Sequence, residues 1–262
     1  MDTKTTAIIL CAGIGSRMGL RQKDINKCAL PIGKTTPAHH MTTALLQSGV
    51  DRIVIITGFA AESVMSALSK SPQSERISFI NNPYYDYHGC NYSLSCSTDS
   101  EFVTNAKKLV IAEGDSLLHE SSIAKLVNST ASQVSLLRDS SFIDYTRSVI
   151  AIGKNGKITR FEYDKNHKGL TPALSNNETL IGESMQLWSF TNDASTRLIK
   201  LLQEYKNSAE KSKTPLTHNG VYSINKLGAD ITPVFSDHPN DWINLNTQKD
   251  IKKAEKEKWL IK

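Results

Sequence analysis

The first half of the chain alternates continuous apolar runs with segments of helical spacing. The runs in "TAIILCA", "DRIVIITGF" and "KKLVIAEGD" are uninterrupted, which is typical of parallel strands that are covered on both faces. The intervening "PAHHMTTALLQSGV", "AAESVMSALSKS" and "HESSIAKLVNS" have the apolar spacing of amphipathic helices. Repeated alternation of this kind predicts a doubly wound α/β sheet with right-handed crossovers.

The second half has a different pattern. "SVIAIGKNGKITRFEY" consists of two strand-like runs around Asn155-Gly156, which is a strong hairpin signal. "NDASTRLIKLLQEYKN" is an amphipathic helix, "DITPVFSD" and "DWINLN" are late strands, and a basic helix closes the chain. The sequence therefore predicts one domain over residues 1–262: a Rossmann-like, doubly wound, mixed but mostly parallel sheet with a small β-rich extension on the substrate side.

Charge and cysteine content exclude several classes of protein. The 31 basic and 26 acidic residues give a net charge of +5, concentrated in a C-terminal helix whose charged face is expected to be solvated. The 4 cysteines form no C-x-x-C pair and the 7 histidines no H-x-x-x-H pair, so spacing indicates neither a zinc nor a disulfide framework. We expect a cytoplasmic protein with no nucleic-acid or membrane partner, and homo-oligomerisation stays open.

The stretch "IILCAGIGSRMG" ends the first apolar strand on a glycine-rich loop. Gly13 and Gly15 follow the strand, at the sheet edge where α/β proteins bind ligands, and Arg17 adds a cation suited to phosphate. Two familiar phosphate loops do not match, because Met18 occupies the third glycine position of the dinucleotide fingerprint and no G-K-[ST] follows. A tight turn is the alternative interpretation.

The loop matches the pattern L-x-A-G-x-G-[ST]-R-[ML], followed by a lysine in "NKCALPIGK". This arrangement resembles the GT-A-like nucleotidyltransferase superfamily, and within it the small CTP-dependent phosphocholine and phosphonate cytidylyltransferases. Three further stretches resemble that branch in the same order: "NPYYDYHGCNYSLSCS", "VIAEGDSLL" and "DWINLNTQKDIKKAE".

The resemblance implies transfer of CMP from CTP to a phosphate or phosphonate acceptor, with release of pyrophosphate. It implies Mg²⁺ held by Asp115 and Asn246; at the second position many relatives carry aspartate, and Asn244 replaces the usual glutamate. Residues 1–140 would form the nucleotide-binding half, and residues 141–262 the acceptor-binding half with the C-terminal helix. The attacking oxygen is already anionic, so the chemistry requires no general base.

The remaining site residues also follow from the resemblance. Arg17 and Lys27 are the expected catalytic cations. The expected nucleotide-binding residues are Ala12, Gly13, Gly15, Ser16, Asn91 and Ser93.

Aromatic residues and one carboxylate suggest how the acceptor binds. We predict an acceptor pocket with Tyr87, Glu183, Trp188 and Trp242, suited to a ligand with a phosphate or phosphonate at one end and an amine or quaternary ammonium at the other. Hydrophobic packing is the alternative for these aromatics. Two other functions stay open: a sugar-1-phosphate nucleotidyltransferase using UTP or dTTP, and a non-catalytic nucleotide-sensing protein with a decayed metal site.

Overall fold

A computed structural model describes residues 5–19, 24–69, 71–164, 167–228, 230–257 and 259. Within these ranges, no helix combines the length and the apolar character needed to cross a bilayer.

The secondary structure follows the alternation seen in the sequence. The strands are β1 (Thr5–Cys11), β2 (Arg52–Thr57), β3 (Ile77–Asn81), β4 (Lys108–Glu113), β5 (Ser116–Leu118), β6 (Gln133–Asp139), β7 (Ile150–Lys154), β8 (Lys157–Glu162), β9 (Thr179–Thr191), β10 (Thr232–Phe235) and β11 (Trp242–Asn244). The helices are α1 (Pro37–Gln47), α2 (Ala61–Leu68), α3 (Cys90–Cys96), α4 (Glu101–Thr104), α5 (Glu120–Val127), α6 (Asp193–Lys211), α7 (Tyr222–Lys226) and α8 (Gln248–Ala254).

The main sheet has the order β10-β6-β9-β4-β1-β2-β3. Strand β1 lies between β2 and β4 and is parallel to both, whereas β9 is antiparallel to β4 and β6. The β7–β8 hairpin pairs with β9 beside this sheet. The predicted doubly wound, mostly parallel sheet with a small β extension is thus confirmed.

Both faces of the sheet are covered, as the continuous apolar strands require. Along β1, Ile8 and Leu10 pack into one core cluster, and Ala7, Ile9 and Cys11 pack into the cluster on the opposite face. Burial of each such side chain stabilises the fold by roughly 1.5–3 kcal/mol for the larger aliphatic residues. Strand β1 is therefore fixed from both sides, and the loop that follows it starts from a rigid element.

Strands from both halves of the chain share the main sheet, since β9 pairs with β4. The predicted division near residue 140 stays a prediction. A separate two-stranded ribbon pairs β5 with β11 in antiparallel register, Ser116 opposite Asn244 and Leu118 opposite Trp242. The sequence analysis did not predict β5 or β6; β5 has only three residues, too few for a periodic signal. Asp115 directly precedes β5 and Asn246 follows β11, so this ribbon brings the two residues close together.

Candidate active site

A cavity of about 620 Å³ opens beside the ends of β1 and β4. Its wall includes three residues that the sequence predicts for the site from distant segments, Arg17, Asp115 and Asn246. It also includes Glu183, Trp188 and Trp242 of the predicted acceptor pocket. The structure therefore gathers most of the predicted charged groups around one space large enough for a nucleotide-sized ligand.

The glycine loop lies next to this cavity, into whose wall its Arg17 extends. Gly15 has φ 65°, a left-handed conformation that glycine adopts without strain, and a short 3₁₀ turn, Ser16–Met18, follows it. The N–H groups of Ile14, Gly15 and Ser16 donate no hydrogen bond to the described residues. Exposed, uncommitted N–H groups in a loop of this kind can bind phosphate oxygens.

Asn26 holds the loop in place, and the sequence analysis missed it. Its buried Nδ2 donates to the carbonyl oxygens of Cys11 at 2.8 Å, Phe59 at 2.8 Å and Gly13 at 3.3 Å. Its Oδ1 accepts from the N–H of Cys28 at 2.9 Å and so begins the 3₁₀ turn that carries Lys27. One side chain thereby joins the glycine loop to Lys27; the signal available in the sequence was a polar residue directly before that lysine.

Lys27 and Asp115 form an ion pair beside the loop. The Lys27 side chain is 20% exposed and that of Asp115 7%. Burial of Lys27 acts against its charge, but the attraction and hydrogen bond of Asp115 outweigh that effect and raise the pKa of the lysine above its usual range. The lysine is therefore cationic at neutral pH.

The position of Asp115 depends on Gly114. A Cβ at residue 114 would lie 2.4 Å from Sγ of Cys11 and 2.8 Å from the carbonyl oxygen of Leu10. Only glycine lets the end of β4 approach β1 this closely, and its N–H donates to that same Leu10 oxygen at 3.0 Å. The close approach brings the carboxylate to the side of the cavity where the glycine loop lies.

Arg17 contacts Asn246 across the cavity. Its Nη2 donates to Oδ1 of Asn246 at 2.6 Å, and its Nη1 lies 3.3 Å from Nε2 of His167. Nδ1 of His167 lies 2.9 Å from the carbonyl oxygen of Thr146, which can only accept, so the ring carries its proton there and Nε2 accepts from the arginine. His167 was not predicted as a site residue, because it follows no spacing pattern.

Helix α8 fixes Asn246. Thr247 and Asp250 form a capping box, and the Asp250 carboxylate also accepts from the N–H of Asn246 at 3.0 Å. On the neighbouring strand, Asn244 donates from Nδ2 to Oε1 of Gln186 at 2.7 Å. Gln186 has φ 60°, unusual for a side chain of this size, in a part of β9 that faces the cavity. The sequence analysis missed Gln186, since a local backbone distortion has no sequence pattern.

Glu113 is a further acidic residue of the cavity wall that the sequence analysis did not select. Burial raises the pKa of Glu113 to about 7, the nearby charge of Asp115 adds to the rise, and Lys27 opposes it. Sγ of Cys90 donates to Oε1 of Glu113 at 3.7 Å, and burial raises the pKa of this thiol, which keeps it protonated. Near neutral pH the site therefore holds a carboxyl group that is easily protonated.

The predicted acceptor pocket is arranged differently from an open aromatic cage. Glu183 accepts from Nε of Arg138 at 2.5 Å and from Oγ of Ser148 at 2.6 Å, although burial still raises the pKa of this carboxyl. The Arg138 guanidinium lies 4.7 Å from the ring centre of Trp242. The cation on Trp242 is thus the protein's own arginine, and an acceptor ammonium would have to displace it. Trp188 is buried and packs edge-on against Phe161.

Some predicted site residues do not line the cavity. Tyr87 is 40% exposed elsewhere, and its hydroxyl donates to the carbonyl oxygen of Lys213 at 3.1 Å. Asn91 and Ser93 are buried in α3, where they bind the N–H of Ser223 and Nδ2 of Asn82. Five more predicted residues do not line the cavity: Ala12, Gly13, Gly15, Ser16 and Lys27. The roles of all these residues stay predictions.

Asp115 and Asn246 fit a hard divalent cation. They offer one carboxylate and one amide oxygen, the donor types that Mg²⁺ prefers. Both oxygens contact cations of the protein, Lys27 beside the cavity wall and Arg17 in it. The donor set is sparse, so water and phosphate oxygens would have to complete the coordination shell.

Comparison with known proteins places the chain in a family. Residues 27–258 match the family model described as "Domain of unknown function (DUF6564)". The chain belongs to this family. The match covers Lys27, Asp115 and Asn246 and every strand of the main sheet except β1, and it begins after the glycine loop and Arg17.

The similar proteins and solved structures have nucleotidyltransferase names. A CTP:phosphoglutamine cytidylyltransferase of Campylobacter jejuni is 26% identical over 124 residues, which are 47% of this chain and 48% of that relative. The CTP:phosphocholine cytidylyltransferase of Streptococcus pneumoniae superposes with a TM-score of 0.68 at 15% identity, covering 96% of this chain and 98% of the other. A candidate glucose-1-phosphate thymidylyltransferase of Bacillus anthracis, solved with sucrose, superposes with a TM-score of 0.66 at 22% identity, covering 96% and 94%. These likenesses confirm the predicted nucleotidyltransferase fold.

Proposed function

We propose that the protein is a nucleotidyltransferase that transfers CMP from CTP to a small phosphate or phosphonate acceptor and releases pyrophosphate. The observation that carries the proposal is the convergence of four predicted groups from separate segments. Lys27 contacts Asp115 and Arg17 contacts Asn246 beside one cavity. A plain turn at the glycine loop would give no reason for these two contacts.

Catalysis by these residues rests on position and charge. The loop N–H groups of residues 14–16 would bind the outer phosphates, and the Arg17 guanidinium would lie beside the leaving pyrophosphate. Lys27 would neutralise charge at the α-phosphate or on the acceptor. Holding the acceptor oxygen in line with the α-phosphate would lower the barrier further. The acceptor oxygen carries its own negative charge, so no side chain has to remove a proton.

Asp115 and Asn246 would hold Mg²⁺. When bound, the ion would neutralise negative charge on the phosphates. Asparagine in place of aspartate removes one negative charge and should weaken metal binding. Lys27 and Arg17 contact these same two side chains, so we infer that nucleotide and metal would bind together with an exchange of partners.

CTP is favoured over other nucleotides by the sequence resemblance and by the names of two of the relatives. The Bacillus anthracis neighbour keeps the sugar-phosphate alternative open. We propose a phosphate or phosphonate as the acceptor's reacting group. The predicted amine at its other end has less support, because Arg138 already contacts Trp242 and Glu183, two of the residues predicted to bind it. A nucleotide-sensing function without catalysis predicts binding but no pyrophosphate.

The decisive experiment measures pyrophosphate release. Each of the four common NTPs and dTTP would be combined, with Mg²⁺, with phosphocholine, phosphoethanolamine, 2-aminoethylphosphonate and glucose-1-phosphate. Release that requires CTP and a non-sugar acceptor supports the proposal. Release with UTP or dTTP and the sugar phosphate would transfer the assignment to the sugar branch. Tight nucleotide binding without release under any pairing would contradict an enzymatic function.

A further inference from the structure

A second group of metal-binding side chains lies outside the cavity. Among the described residues, one ring nitrogen each of His119 and His238 and a carboxylate oxygen of Asp241 lie within 4.8 Å of one another. All three side chains are partly buried. None of them belongs to the cavity wall, so the proposed reaction does not account for their arrangement.

The two imidazoles are packed closely. Their rings stack with centroids 3.9 Å apart and planes 17° from parallel. Nδ1 of His238 lies 3.5 Å from Oδ2 of Asp241, and Oγ of Ser121 lies 2.8 Å from Nδ1 of His119 and orients that ring. Two stacked histidines beside a carboxylate offer the nitrogen and oxygen donors that Zn²⁺ and neighbouring divalent metals bind.

The backbone holds the donors from two segments against each other. His119 directly follows β5, and Asp241 directly precedes β11, so they face each other one position beyond the Leu118–Trp242 pair. The N–H of His119 donates to the carbonyl oxygen of Asp241 at 3.1 Å. The N–H of Asp241 donates to the carbonyl oxygen of His238, also at 3.1 Å, which forms the turn that brings the second imidazole in. The backbone thus brings the three residues together.

We propose that His119, His238 and Asp241 bind one Zn²⁺-class divalent cation. The ring planes lie 17° from parallel, so the in-plane lone pairs of the two imidazoles do not converge in this arrangement, and one ring has to turn about χ2 for both to bind the same ion. With metal–ligand bonds of about 2.0–2.2 Å, tetrahedral donors then lie roughly 3.4 Å apart, with water as the fourth ligand. The metal clamps the outer end of the β5–β11 ribbon. Asp115 and Asn246 flank the inner end of the same ribbon, where the N–H of Leu245 donates to the carbonyl oxygen of Asp115 at 2.9 Å.

Binding is tested on the full chain, freed of metal with a chelator and titrated with ZnCl₂ in the presence of excess MgCl₂. We expect one Zn²⁺ per chain by calorimetry. We also expect Tm to rise by about 5 °C or more at a hundredfold excess of Zn²⁺ over Kd. The absence of both effects would overturn the proposal.

Ligand variants locate the site. His119→Asn keeps a good helix-capping residue before α5, and His238→Gln and Asp241→Asn keep polarity and size. Each variant should lower Zn²⁺ affinity by at least about tenfold, the scale seen even when groups that only orient a ligand are lost. His39→Gln, a partly buried histidine that contacts Thr35 outside the group, is the matched control and should bind like the wild type.

Further measurements distinguish the proposed site from two other places where Zn²⁺ could bind, the cavity and a cysteine thiolate. Titration of Asp115→Asn should still give one Zn²⁺, whereas loss of that binding would place the metal in the cavity. A Co²⁺ complex should lack the charge-transfer band of a cysteine thiolate, and its presence would overturn the assignment. The site does not depend on the proposed function: pyrophosphate release can fail while Zn²⁺ binds, and the reverse.

Discussion

Nη2 of Arg17 donates a hydrogen bond to Oδ1 of Asn246 at 2.6 Å, across 229 positions of the chain. Lys27 pairs with Asp115, which lines the same cavity. Each oxygen ligand proposed for the metal therefore already faces one of the cations proposed for the phosphates. Binding of a nucleotide with its metal would exchange both sets of partners at once, which gives the nucleotide and the metal a physical reason to bind cooperatively.

Removal of the Asp115 carboxylate should abolish turnover. Asp115→Asn and Asp115→Ala both remove the charge that we propose holds Mg²⁺. Asp115→Ala should also destabilise the fold by about 3–5 kcal/mol, because it leaves Lys27, a largely buried cation, without the carboxylate that hydrogen-bonds to it. Pyrophosphate release and denaturant unfolding measure the two effects. Asp99→Asn, which breaks an exposed pair with Lys206, is the control and should change neither by much. Mg²⁺-dependent activity near the wild-type level in Asp115→Asn would refute the assignment.

Arg17→Ala and Lys27→Ala should each lower kcat by about 10²-fold or more, the range for loss of a group that stabilises charge in the transition state. Arg17→Lys should recover part of the rate, since it keeps the charge but loses the planar fork that binds two oxygens. Steady-state kinetics with CTP separate the parameters. A rise in KM with unchanged kcat would instead indicate ground-state binding alone. Lys249→Ala, on an exposed face of α8, should behave like the wild type.

Asn26→Leu should weaken nucleotide binding by the glycine loop, although we assign Asn26 no contact with phosphate. The substitution removes the donor to the carbonyl oxygens of Cys11, Gly13 and Phe59. The hydrogen bonds to Cys11 and Phe59 are buried, and each buried group left unsatisfied costs about 1–3 kcal/mol. We expect a loss of at least about 2 kcal/mol in the free energy of unfolding. Nucleotide affinity, measured by calorimetry, should fall as well. Asn105→Leu at an exposed position is the control. Unchanged nucleotide affinity in a folded Asn26→Leu protein would mean that the loop keeps its conformation without the hydrogen bonds of Asn26.

Glu113 should make stability pH-dependent. Its pKa is about 7 in the folded protein, against about 4.3 in an unfolded chain. Between these values the folded state keeps a proton that the unfolded chain has released, so stability falls as pH rises through this window.

Glu113→Gln removes that effect. The Tm of Glu113→Gln should equal or exceed that of the wild type at pH 8. At pH 5 the Tm of the variant relative to the wild type should be lower than at pH 8, by about 2–4 °C for each kcal/mol of stability involved. Thermal scans without nucleotide or divalent cations measure it, with exposed Glu101→Gln as the control. Parallel Tm curves for the two proteins from pH 5 to pH 8 would contradict the raised pKa.

The sequence by itself determined the fold class and the polar ends of two strands. Continuous apolar runs can only be buried on both faces, so the alternation in residues 5–130 requires a covered parallel sheet. Gly13, Gly15 and Arg17 must then lie at the end of β1, and Asp115 just past the end of β4, because the two strands are parallel neighbours. These conclusions follow from local patterns, which a chain carries without its tertiary contacts.

Only the tertiary structure decided which groups meet. Asn26 holds the loop through bonds to three carbonyl oxygens, and Arg138 lies on Trp242, the ring that the sequence left open for an acceptor. His119, His238 and Asp241 lack any metal-binding spacing, yet the β5–β11 register brings them together. Such contacts depend on the direction of side chains and on strand register between distant segments, and no periodicity within a segment records either of them.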